Sequence, residues 1–359
     1  MSTTQHERTI LVTGGAGFMG SSMCVHLRKV WPSSHVIAFD NLKRRGSELN
    51  LPRLKQAGVQ FVHGDVRDRG DLDTLPKVDA LIECSAEPSV LAGLNGGADY
   101  VVDTNLGGTI NCLRIAARDK ADLLFLSTSR VYPFDRLNGA CMEGEDKFSI
   151  DPAAHIAGIS ANGISETFPL TGIRSLYGAT KLASELLIQE FANMHGFRAV
   201  INRCGVLAGP WQMGKTDQGF ALLWLSRHHW GLPLSYIGYG GTGKQVRDLL
   251  HVDDLCDLAT WQLDHMATVA GCTFNVGGGL RNSVSLREFT ALCEEVTGRT
   301  AQIGSIAEER PGDLKLYITD NAEVTKATGW QPQRDLRTLL SDSHTWLKAH
   351  DSDLRNILS

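Results

Sequence analysis

Several features that would place this sequence in other classes of protein are missing from it. No run of about 18 or more apolar residues occurs, so no membrane-spanning helix is predicted. None of the eight cysteines forms a C-x-x-C pair, and several lie in apolar segments, which argues against a zinc site and favours reduced core residues. The first nine residues are polar and carry no apolar segment of a signal peptide. We therefore expect a cytoplasmic protein.

Excess positive charge is also missing. The 35 Lys and Arg residues stand against 40 Asp and Glu residues, which leaves a formal net charge of −5. The run Lys43-Arg44-Arg45 is too short to indicate nucleic-acid binding. No internal repeat or low-complexity tract occurs, and 42% of the residues are hydrophobic. A chain of 359 residues with this composition predicts two folded domains, or one large α/β domain with a cap.

What the sequence does contain is a glycine-rich turn directly after a short β-type segment, residues 9–13. Residues 21–30, after the turn, have a helical pattern. The spacing Gly15-x-Gly17-x-x-Gly20 fits the fingerprint in which glycines permit a tight turn and let a pyrophosphate approach the helix N-terminus. Because a strand precedes the turn and a helix follows it, we interpret this segment as a dinucleotide-binding loop.

The second predicted strand, residues 35–39, ends at Asp40. An acid at this place can accept hydrogen bonds from the adenosine ribose hydroxyls, which favours NAD over NADP. Lys43, Arg44 and Arg45 follow closely and would suit a 2′-phosphate, so both cofactors stay open, with NAD preferred. After the third strand, Asp65 either lies near the adenine or caps the helix predicted from Asp68 onward.

Strand and helix patterns alternate through the first half of the chain. Further strands are predicted at residues 59–62, 80–84, 122–126 and 198–203, and a long helix at 100–118. This alternation predicts an α/β fold with a doubly wound parallel sheet and right-handed crossovers. In such sheets ligands bind beyond the carboxyl ends of the strands, where we expect Thr13, Asp40, Ser85 and Thr128.

Tyr177 lies four residues before Lys181 at the start of an apolar-periodic segment. Positions i and i+4 share one face of a helix, so the two side chains are expected to point the same way. A free tyrosine has a pKa of roughly 10, and a cation within about 4–6 Å can lower it by about 1–3 units. The pair is therefore a candidate general acid/base, although the same spacing on an ordinary surface helix would carry no chemistry.

The remainder of the chain is divided as follows. Residues 133–174 are polar and too long for a simple link, so they form a flap over the site, a lobe at a subunit contact or a partly mobile segment. We place the dinucleotide-binding domain at residues 1–204, with 246–271 returning to it. Residues 205–245 and 272–359 are assigned to a smaller C-terminal α/β lobe that binds substrate. His251 with Asp253 and Asp254 is interpreted as a helix cap rather than a metal site.

These segments together resemble the extended short-chain dehydrogenase/reductase family of nucleotide-sugar epimerases and dehydratases, over nearly the whole chain. The similarity rests on residues 13–20, 40–42, 64–68, 105, 127–132, 177–181 and 247–248, in this order and at suitable spacing. The resemblance implies a Rossmann fold, NAD as cofactor, a nucleotide-diphosphate sugar as substrate and a homodimer. The dimer would pair two helices through the apolar residues Ile110, Leu113 and Ile115 on one and Leu182, Leu186 and Phe191 on the other.

The resemblance also implies a role for each candidate site residue. Tyr177 matches the catalytic base, Lys181 the lysine that holds the nicotinamide ribose and lowers the tyrosine pKa, and Thr128 the residue that hydrogen-bonds the reacting hydroxyl. Arg247 matches an arginine that contacts the diphosphate, and Arg310 is either a phosphate or ribose contact or part of a plain surface turn. The implied cofactor-binding residues are Gly14, Gly17, Phe18, Met19, Gly20, Asp40, Asn41, Asp65, Val66, Ser85, Ala86, Asn105, Ser127, Tyr177 and Lys181. The implied substrate-binding residues are Glu87, Ser129, Arg130, Arg203, Gln218, Arg247 and Arg310.

Two features narrow the resemblance within the family. Sugar 4,6-dehydratases carry an Asp-Glu pair directly after the Thr, and here Ser129-Arg130 stand in those places. The segments 209–212, 217–219 and 243–251 look most like the CDP-paratose (CDP-tyvelose) 2-epimerase branch. The resemblance therefore implies an epimerase that oxidises a sugar carbon transiently and then returns the hydride with inversion. The alternatives are a UDP-sugar 4-epimerase, another NAD(P)-dependent nucleotide-sugar oxidoreductase or dehydratase, and a non-catalytic dinucleotide-binding protein.

Overall fold

The structure is a computed structural model that describes residues 7–94, 96–214 and 218–358. Residue 217, in one of the segments that carry the branch resemblance, lies outside these ranges, as do residues 1–6 of the polar N-terminus. The strands, β1 to β17 in chain order, are Thr9–Thr13, His35–Asp40, Gln60–His63, Ala80–Glu83, Asp122–Thr128, Cys141–Glu143, Phe148–Ile150, Ile159–Ser160, Gly163–Ile164, Ala199–Cys204, Val206–Ala208, Leu234–Ile237, Val246–His251, Thr273–Val276, Ser283–Ser285, Ile303–Ile306 and Leu316–Tyr317.

The helices, α1 to α14, are Phe18–Val30, Leu51–Gln56, Arg69–Asp73, Ala98–Val102, Gly108–Asp119, Phe134–Gly139, Leu176–His195, Phe220–Trp230, Val252–Asp264, Met266–Val269, Leu286–Thr297, Ala322–Thr328, Leu336–Ala349 and Asp351–Leu358. A π-helical turn at Asp103–Gly107 separates α4 from α5, so the helix predicted at 100–118 is interrupted. Short 3₁₀ turns lie at Ser47–Asn50, Ser129–Val131, Tyr239–Gly241 and Leu280–Asn282.

A seven-stranded parallel sheet forms the larger part of the molecule, in the order β14-β10-β5-β4-β1-β2-β3. Its strands are short apolar runs because helices cover both faces. Ile10 and Val12 of β1 pack on one side with α1 and α9, whereas Leu11 packs on the other with α5 and α7. The strand order reverses between β1 and β4, which places a ligand crevice at their carboxyl ends. The predicted doubly wound α/β fold is confirmed.

The smaller lobe is built on a second sheet in which β13 pairs with β11, β15 and β17. Helices α8, α11 and α13 pack together in its apolar core. Two segments differ from the predicted division of the chain. Strand β14, assigned to the lobe, is the edge strand of the large sheet, because it pairs in parallel with β10. Strand β13, assigned to the large domain, lies in the lobe sheet, and the helices that follow it, α9 and α10, return to the large sheet.

Residues 133–174 contain α6 and two small hairpins, β6–β7 and β8–β9. The segment packs on the C-terminal part of the lobe: Phe168 meets the Tyr132 ring edge-on at 5.6 Å, and Tyr132 stacks on Tyr317 at 6.3 Å. The Glu166 carboxylate accepts a hydrogen bond of 2.6 Å from the backbone N–H of Asn275. This segment is therefore packed against both the lobe, through Tyr317, and the edge strand β14 of the large sheet, through Asn275.

The dimer prediction assumed exposed apolar residues on two helices, α5 and α7, and the structure agrees with it only in part. Leu113 and Ile115 of α5 are buried in the core of the large sheet, so the expectation that they are exposed is wrong. Their positions on α5 face the strands, and burial there follows from the helical period. On α7, Leu186 is 59% exposed and Met194, which was not predicted, is 71% exposed. Of these two helices, whose residues are all described, α7 is the one with largely exposed apolar side chains.

Three smaller expectations can be compared with the structure. All eight cysteines are free thiols; five of them are buried. His251 caps α9, since its Nδ1 accepts a hydrogen bond of 3.1 Å from the backbone N–H of Asp253, and the predicted helix cap is confirmed. Within the described ranges, no helix combines the length and the apolar character needed to cross a membrane.

Candidate active site

A cavity of about 720 Å³ lies between the carboxyl edge of the large sheet and the smaller lobe. It gathers most of the predicted site residues from segments far apart in the chain. Those that line it are Gly14, Gly17, Phe18, Met19, Gly20, Ala86, Ser127, Thr128, Ser129, Arg130, Tyr177, Lys181, Gln218, Arg247 and Arg310. The predicted residues that do not line it are Asp40, Asn41, Asp65, Val66, Ser85, Glu87, Asn105 and Arg203. No residue of 133–174 lines it among those described, so this segment is not a flap over the cavity.

The glycine loop between β1 and α1 forms one end of the cavity. A Cβ added at Gly20 would lie 2.1 Å from the carbonyl oxygen of Gly14, so only glycine allows the first turn of α1 to close on the loop. Gly14 itself adopts φ +64°, which favours glycine. The first backbone N–H groups of α1 have no partner within the helix and can bind a pyrophosphate. The loop therefore fits the phosphates of a dinucleotide.

Asp40 lies at the end of β2, beside this loop. Its carboxylate accepts hydrogen bonds from the backbone N–H groups of Ala16, at 3.1 Å, and Leu42, at 2.7 Å. The loop and the acid are thus held in one unit, which suits a ribose next to a pyrophosphate. Burial raises the pKa of Asp40, and these amide bonds lower it.

The three cations after Asp40 each have another partner. The Lys43 ammonium lies 3.3 Å from the centre of the Tyr100 ring, and Arg44 donates to Gln218 and to the carbonyl of Met213. Arg45 donates to the carbonyl of Asn356. The protein thus uses these cations to tie its own segments together. The arrangement favours NAD over NADP.

Asp65 orders the turn after β3 instead of capping a helix. Its carboxylate accepts from Asn41 at 3.0 Å and pairs with Arg67 at 2.6 Å, and these bonds hold its pKa well below the usual range. The cap of α3 is Asp68, which accepts from the N–H of Gly70. Of the two interpretations of Asp65, the helix cap is wrong. The turn lies next to Asp40 through Asn41, and this leaves the adenine contact as a prediction.

The reacting end of the cavity forms where α7 meets the end of β5. Ser175 caps α7 by accepting from the N–H of Gly178 at 3.2 Å. A Cβ at Gly178 would lie 2.1 Å from the carbonyl oxygen of Arg130, so glycine is needed for this close approach. The approach places Tyr177 beside the end of β5, where the Thr128 hydroxyl lowers the pKa of the phenol. Tyr177 and Lys181, one helical turn apart, both line the cavity as their spacing predicts.

The protonation of Tyr177 differs from the prediction. Burial raises the pKa of Tyr177 to about 12, while the hydrogen bond from Thr128 and the charge of Arg130 lower it. Lys181 is not among the groups that shift the pKa of Tyr177, so the expected lowering by Lys181 is not found. The Lys181 ammonium is buried, lies 3.9 Å from the centre of the Phe125 ring and faces the buried carboxylate of Glu83. Burial lowers the pKa of Lys181, and the charge of Glu83 opposes this.

A buried network lies beneath the reacting end. Glu185, one turn after Lys181, accepts from Ser127 and forms an ion pair of 2.7 Å with Arg203. Arg203 also donates to the hydroxyl of Tyr132 at 3.1 Å. Arg203 is only 7% exposed and does not line the cavity. The structure thus does not support substrate binding by Arg203, because its guanidinium already has its counter-ion inside the protein.

A second internal connection involves Asn105. Its side chain accepts from the backbone N–H of Glu87 at 2.8 Å and donates to Thr180 at 3.1 Å. It therefore joins the segment after β4 to the helix that carries Tyr177. Ser85, in the same segment, contacts Thr13 at 3.2 Å. Glu87, Asn105 and Ser85 are placed to shape the cavity from behind.

The opposite side of the cavity is basic. We call the side chains of Arg227, Arg247, Arg310 and Asp313 the lobe wall, and residues 14–20 and 127–130 with Tyr177 and Lys181 the sheet wall. Arg247 pairs with Asp313 at 2.9 Å and donates to the carbonyl of Leu314 at 2.8 Å. Arg227 was not predicted, and only its position opposite the sheet wall identifies it. Asp313 belongs to segment 309–313, which resembles one that lines the nucleotide pocket in the family. Asp313 is the one acid among the described residues that line the cavity.

The segment 133–174 supports the lobe wall from behind. Asn138 of α6 donates to the carbonyl of Asp313 at 3.0 Å and to the hydroxyl of Tyr239 at 3.2 Å. Its side-chain oxygen accepts from the N–H of Lys315 at 2.8 Å. Tyr239 in turn donates to the carbonyl of Asp313 at 3.0 Å. The loop that carries Asp313 is thus fixed by residues that do not themselves touch the cavity.

With this geometry established, the chain can be compared with known proteins. The NAD dependent epimerase/dehydratase family matches residues 10–277. The chain is 28% identical to CDP-paratose 2-epimerase of Salmonella typhi, over 94% of this chain and 98% of that protein. It is 32% identical to the low-salt glycan biosynthesis protein Agl12 of Haloferax volcanii, over 90% of this chain and 93% of that protein.

A solved structure gives the same result for the fold. DesIV, a dTDP-glucose 4,6-dehydratase of Streptomyces venezuelae solved with NAD and TYD bound, superimposes with a TM-score of 0.78 at 27% identity. The match covers 97% of this chain and 99% of that chain. The resemblance inferred from the sequence is confirmed, and so is NAD as the cofactor.

Proposed function

The chain belongs to the NAD-dependent epimerase/dehydratase family, and we propose that it is an epimerase that inverts one carbon of a nucleotide-diphosphate sugar. The observation that carries this proposal is that the two positions after Thr128 hold no carboxylate. Ser129 and Arg130 follow Thr128, and Asp313, the one acid lining the described part of the cavity, is paired with Arg247. A dehydratase needs an acid and a base beyond the tyrosine to move a proton and expel water, whereas an epimerase does not.

In the proposed reaction, the Tyr177 oxygen takes the proton of one sugar hydroxyl and later gives it back. Thr128 donates a hydrogen bond that stabilises the phenolate. Bound NAD supplies a reversible acceptor for the hydride of that carbon. Between the two transfers the keto-sugar turns, while the diphosphate stays bound to the lobe wall. The guanidinium of Arg247 suits this task because its fork matches phosphate oxygens.

Within this class we propose a CDP-sugar 2-epimerase type of reaction, with a UDP-sugar 4-epimerase as the second candidate. The similarity to CDP-paratose 2-epimerase over nearly the whole of both chains supports the first. Both reactions use the same catalytic groups. Which nucleotide is accepted and which sugar carbon is inverted depend on how the cavity holds the substrate.

The proposed function is tested by incubating the purified protein with CDP-, UDP-, dTDP- and GDP-sugars in deuterated buffer without added NAD. We expect a product of unchanged mass with one inverted stereocentre. Mass spectrometry and NMR of the product decide the result. Loss of one water would identify a dehydratase, and a need for stoichiometric NAD(P) would identify an oxidoreductase.

We further propose that the protein is a homodimer that pairs through α7. Leu186 and Met194 lie eight residues apart on the same helix and are both largely exposed. Leu186→Glu is expected to give a monomer, and Val30→Glu, a change at an exposed apolar residue of α1, is the matched control. Light scattering at micromolar concentration measures both. A wild-type monomer would contradict the proposal.

A further inference from the structure

We infer that the sugar bound in this cavity carries an acidic group, a carboxylate in the simplest case, and that Arg130 binds it. The inference rests on the proposed function, since it concerns the sugar end of the same cavity. It adds a substrate class and a specificity-determining residue. The catalytic groups Thr128, Tyr177 and Lys181 do not determine this substrate class or this residue.

Arg130 lies at the reacting end of the cavity. Its backbone N–H donates to the Thr128 hydroxyl at 3.2 Å, and its side chain lines the cavity. The guanidinium donates from Nη1 to the carbonyl of Gly312 at 3.0 Å, which holds it between Tyr177 and the loop of Asp313. The charge of Arg130 also lowers the pKa of the Tyr177 phenol. A sugar held by Thr128 and Tyr177 would therefore have Arg130 next to it.

This guanidinium has no carboxylate within 4.0 Å in the described part of the chain. Its neighbour Arg247 repels it, and Asp313 already accepts from Arg247 at 2.9 Å and from the N–H of Leu314 at 2.8 Å. Burial and the charge of Arg247 lower the pKa of Arg130 to about 10, so the group stays protonated near neutral pH. The charge of Asp313 acts favourably on Arg130, but Asp313 is already paired with Arg247, so two arginines share one carboxylate. A ligand anion would supply the second negative charge.

The diphosphate alone does not account for all the cations. The lobe wall, with three arginines and Asp313, has a formal charge of +2, which meets the two phosphates of a nucleotide-diphosphate sugar at one negative charge each. Arg130, directly after Thr128, adds a further positive charge between Tyr177 and this wall. A carboxylate on the sugar would accept two parallel hydrogen bonds from its guanidinium. The cavity is thus matched in charge to a nucleotide-diphosphate sugar acid better than to a neutral sugar.

The test is calorimetric binding to the NAD-loaded enzyme, which needs no turnover. CDP, UDP, dTDP and GDP are first titrated to find the nucleotide that binds. The corresponding nucleotide-glucose and its 6-uronate, made by oxidation of the primary alcohol, are then compared. We expect the wild type to bind the uronate about tenfold or more tightly than the neutral sugar. Arg130→Gln should remove that preference and leave the affinity for the nucleoside diphosphate unchanged.

Two further variants complete the design. Arg130→Lys keeps a charge and should retain part of the preference. Arg287→Gln makes the same change at a half-exposed arginine of the lobe outside the cavity and should keep the full preference. Equal loss of nucleoside diphosphate and uronate binding in Arg130→Gln would make Arg130 a phosphate ligand and overturn the inference. So would equal wild-type affinities for uronate and neutral sugar. If no nucleotide binds at all, the proposed function fails as well.

Discussion

The sheet wall and the lobe wall of the cavity are held in place by different means. On the sheet wall, Thr128, Tyr177 and Lys181 stand on strand ends and a helix that belong to the packed core, and Gly178 lets the pieces touch. On the lobe wall, Arg227, Arg247 and Arg310 come from a helix, a strand and a loop, and the loop is fixed by α6 through Asn138. The sheet wall therefore suits chemistry that needs exact placement, and the lobe wall suits recognition that varies among relatives.

The comparison predicts the largest effect for Tyr177→Phe. Only the phenolic oxygen is lost and the ring still packs, so fold and NAD content should be nearly unchanged. Turnover should fall by about 10²–10⁴, as expected for a general acid/base. Circular dichroism and the nucleotide released on denaturation serve as controls. Near-normal turnover in this variant would remove Tyr177 from the proposed mechanism.

A smaller effect with a distinctive pH dependence is expected for Thr128→Val. The hydroxyl of Thr128 lowers the pKa of Tyr177, because it donates to the phenolate. Its removal should raise that pKa further, so the alkaline rise of kcat/KM moves to higher pH. A hydrogen bond to a charged group contributes about 1.5–3 kcal/mol, which corresponds to a shift of about 1–2 pH units.

Thr128→Ser keeps the donor and is the matched control, with a pH profile close to that of the wild type. A uniform loss of activity at every pH in Thr128→Val would contradict the assigned role. It would indicate that Thr128 only supports the turn at Arg130, because the Thr128 hydroxyl also accepts a hydrogen bond from the backbone N–H of Arg130.

The two walls also differ in what the sequence alone predicted. The glycine loop, Asp40 and the Tyr177–Lys181 pair were found because their spacing within a short segment carries the geometry. Arg227 was missed because its position depends on contacts between distant segments. Arg203 was predicted to bind substrate because the sequence does not show its ion pair with Glu185, which forms only in the folded chain. The raised pKa of Tyr177 has the same origin, since burial cannot be read from a four-residue spacing.

On the lobe wall, Arg247→Gln should weaken substrate binding and change kcat less. The side chain keeps its length approximately and loses its charge, so the KM for the nucleotide-sugar should rise by about tenfold. Arg287→Gln is the matched control, because Arg287 lies in the same lobe, is half exposed and pairs with Asp146 outside the cavity. A fall in kcat with unchanged KM would place Arg247 with the catalytic groups.

The smallest effect is expected for Asn138→Ala, which tests whether the segment 133–174 holds the lobe wall. Asn138 makes three hydrogen bonds to the carbonyl of Asp313, the hydroxyl of Tyr239 and the N–H of Lys315. Each contributes about 1 kcal/mol or less net, and water can replace part of them, so the loop of Asp313 should loosen without unfolding. Because Arg247 is oriented by Asp313, we expect KM to rise about threefold to tenfold while kcat stays close to wild type. Asn162→Ala, at the exposed end of the β8–β9 hairpin in the same segment, is the control and should change neither constant. Equal KM and kcat values in the two variants would show that the lobe wall keeps its shape without the hydrogen bonds from α6. The claim that the two walls are held in place by different means would then be wrong.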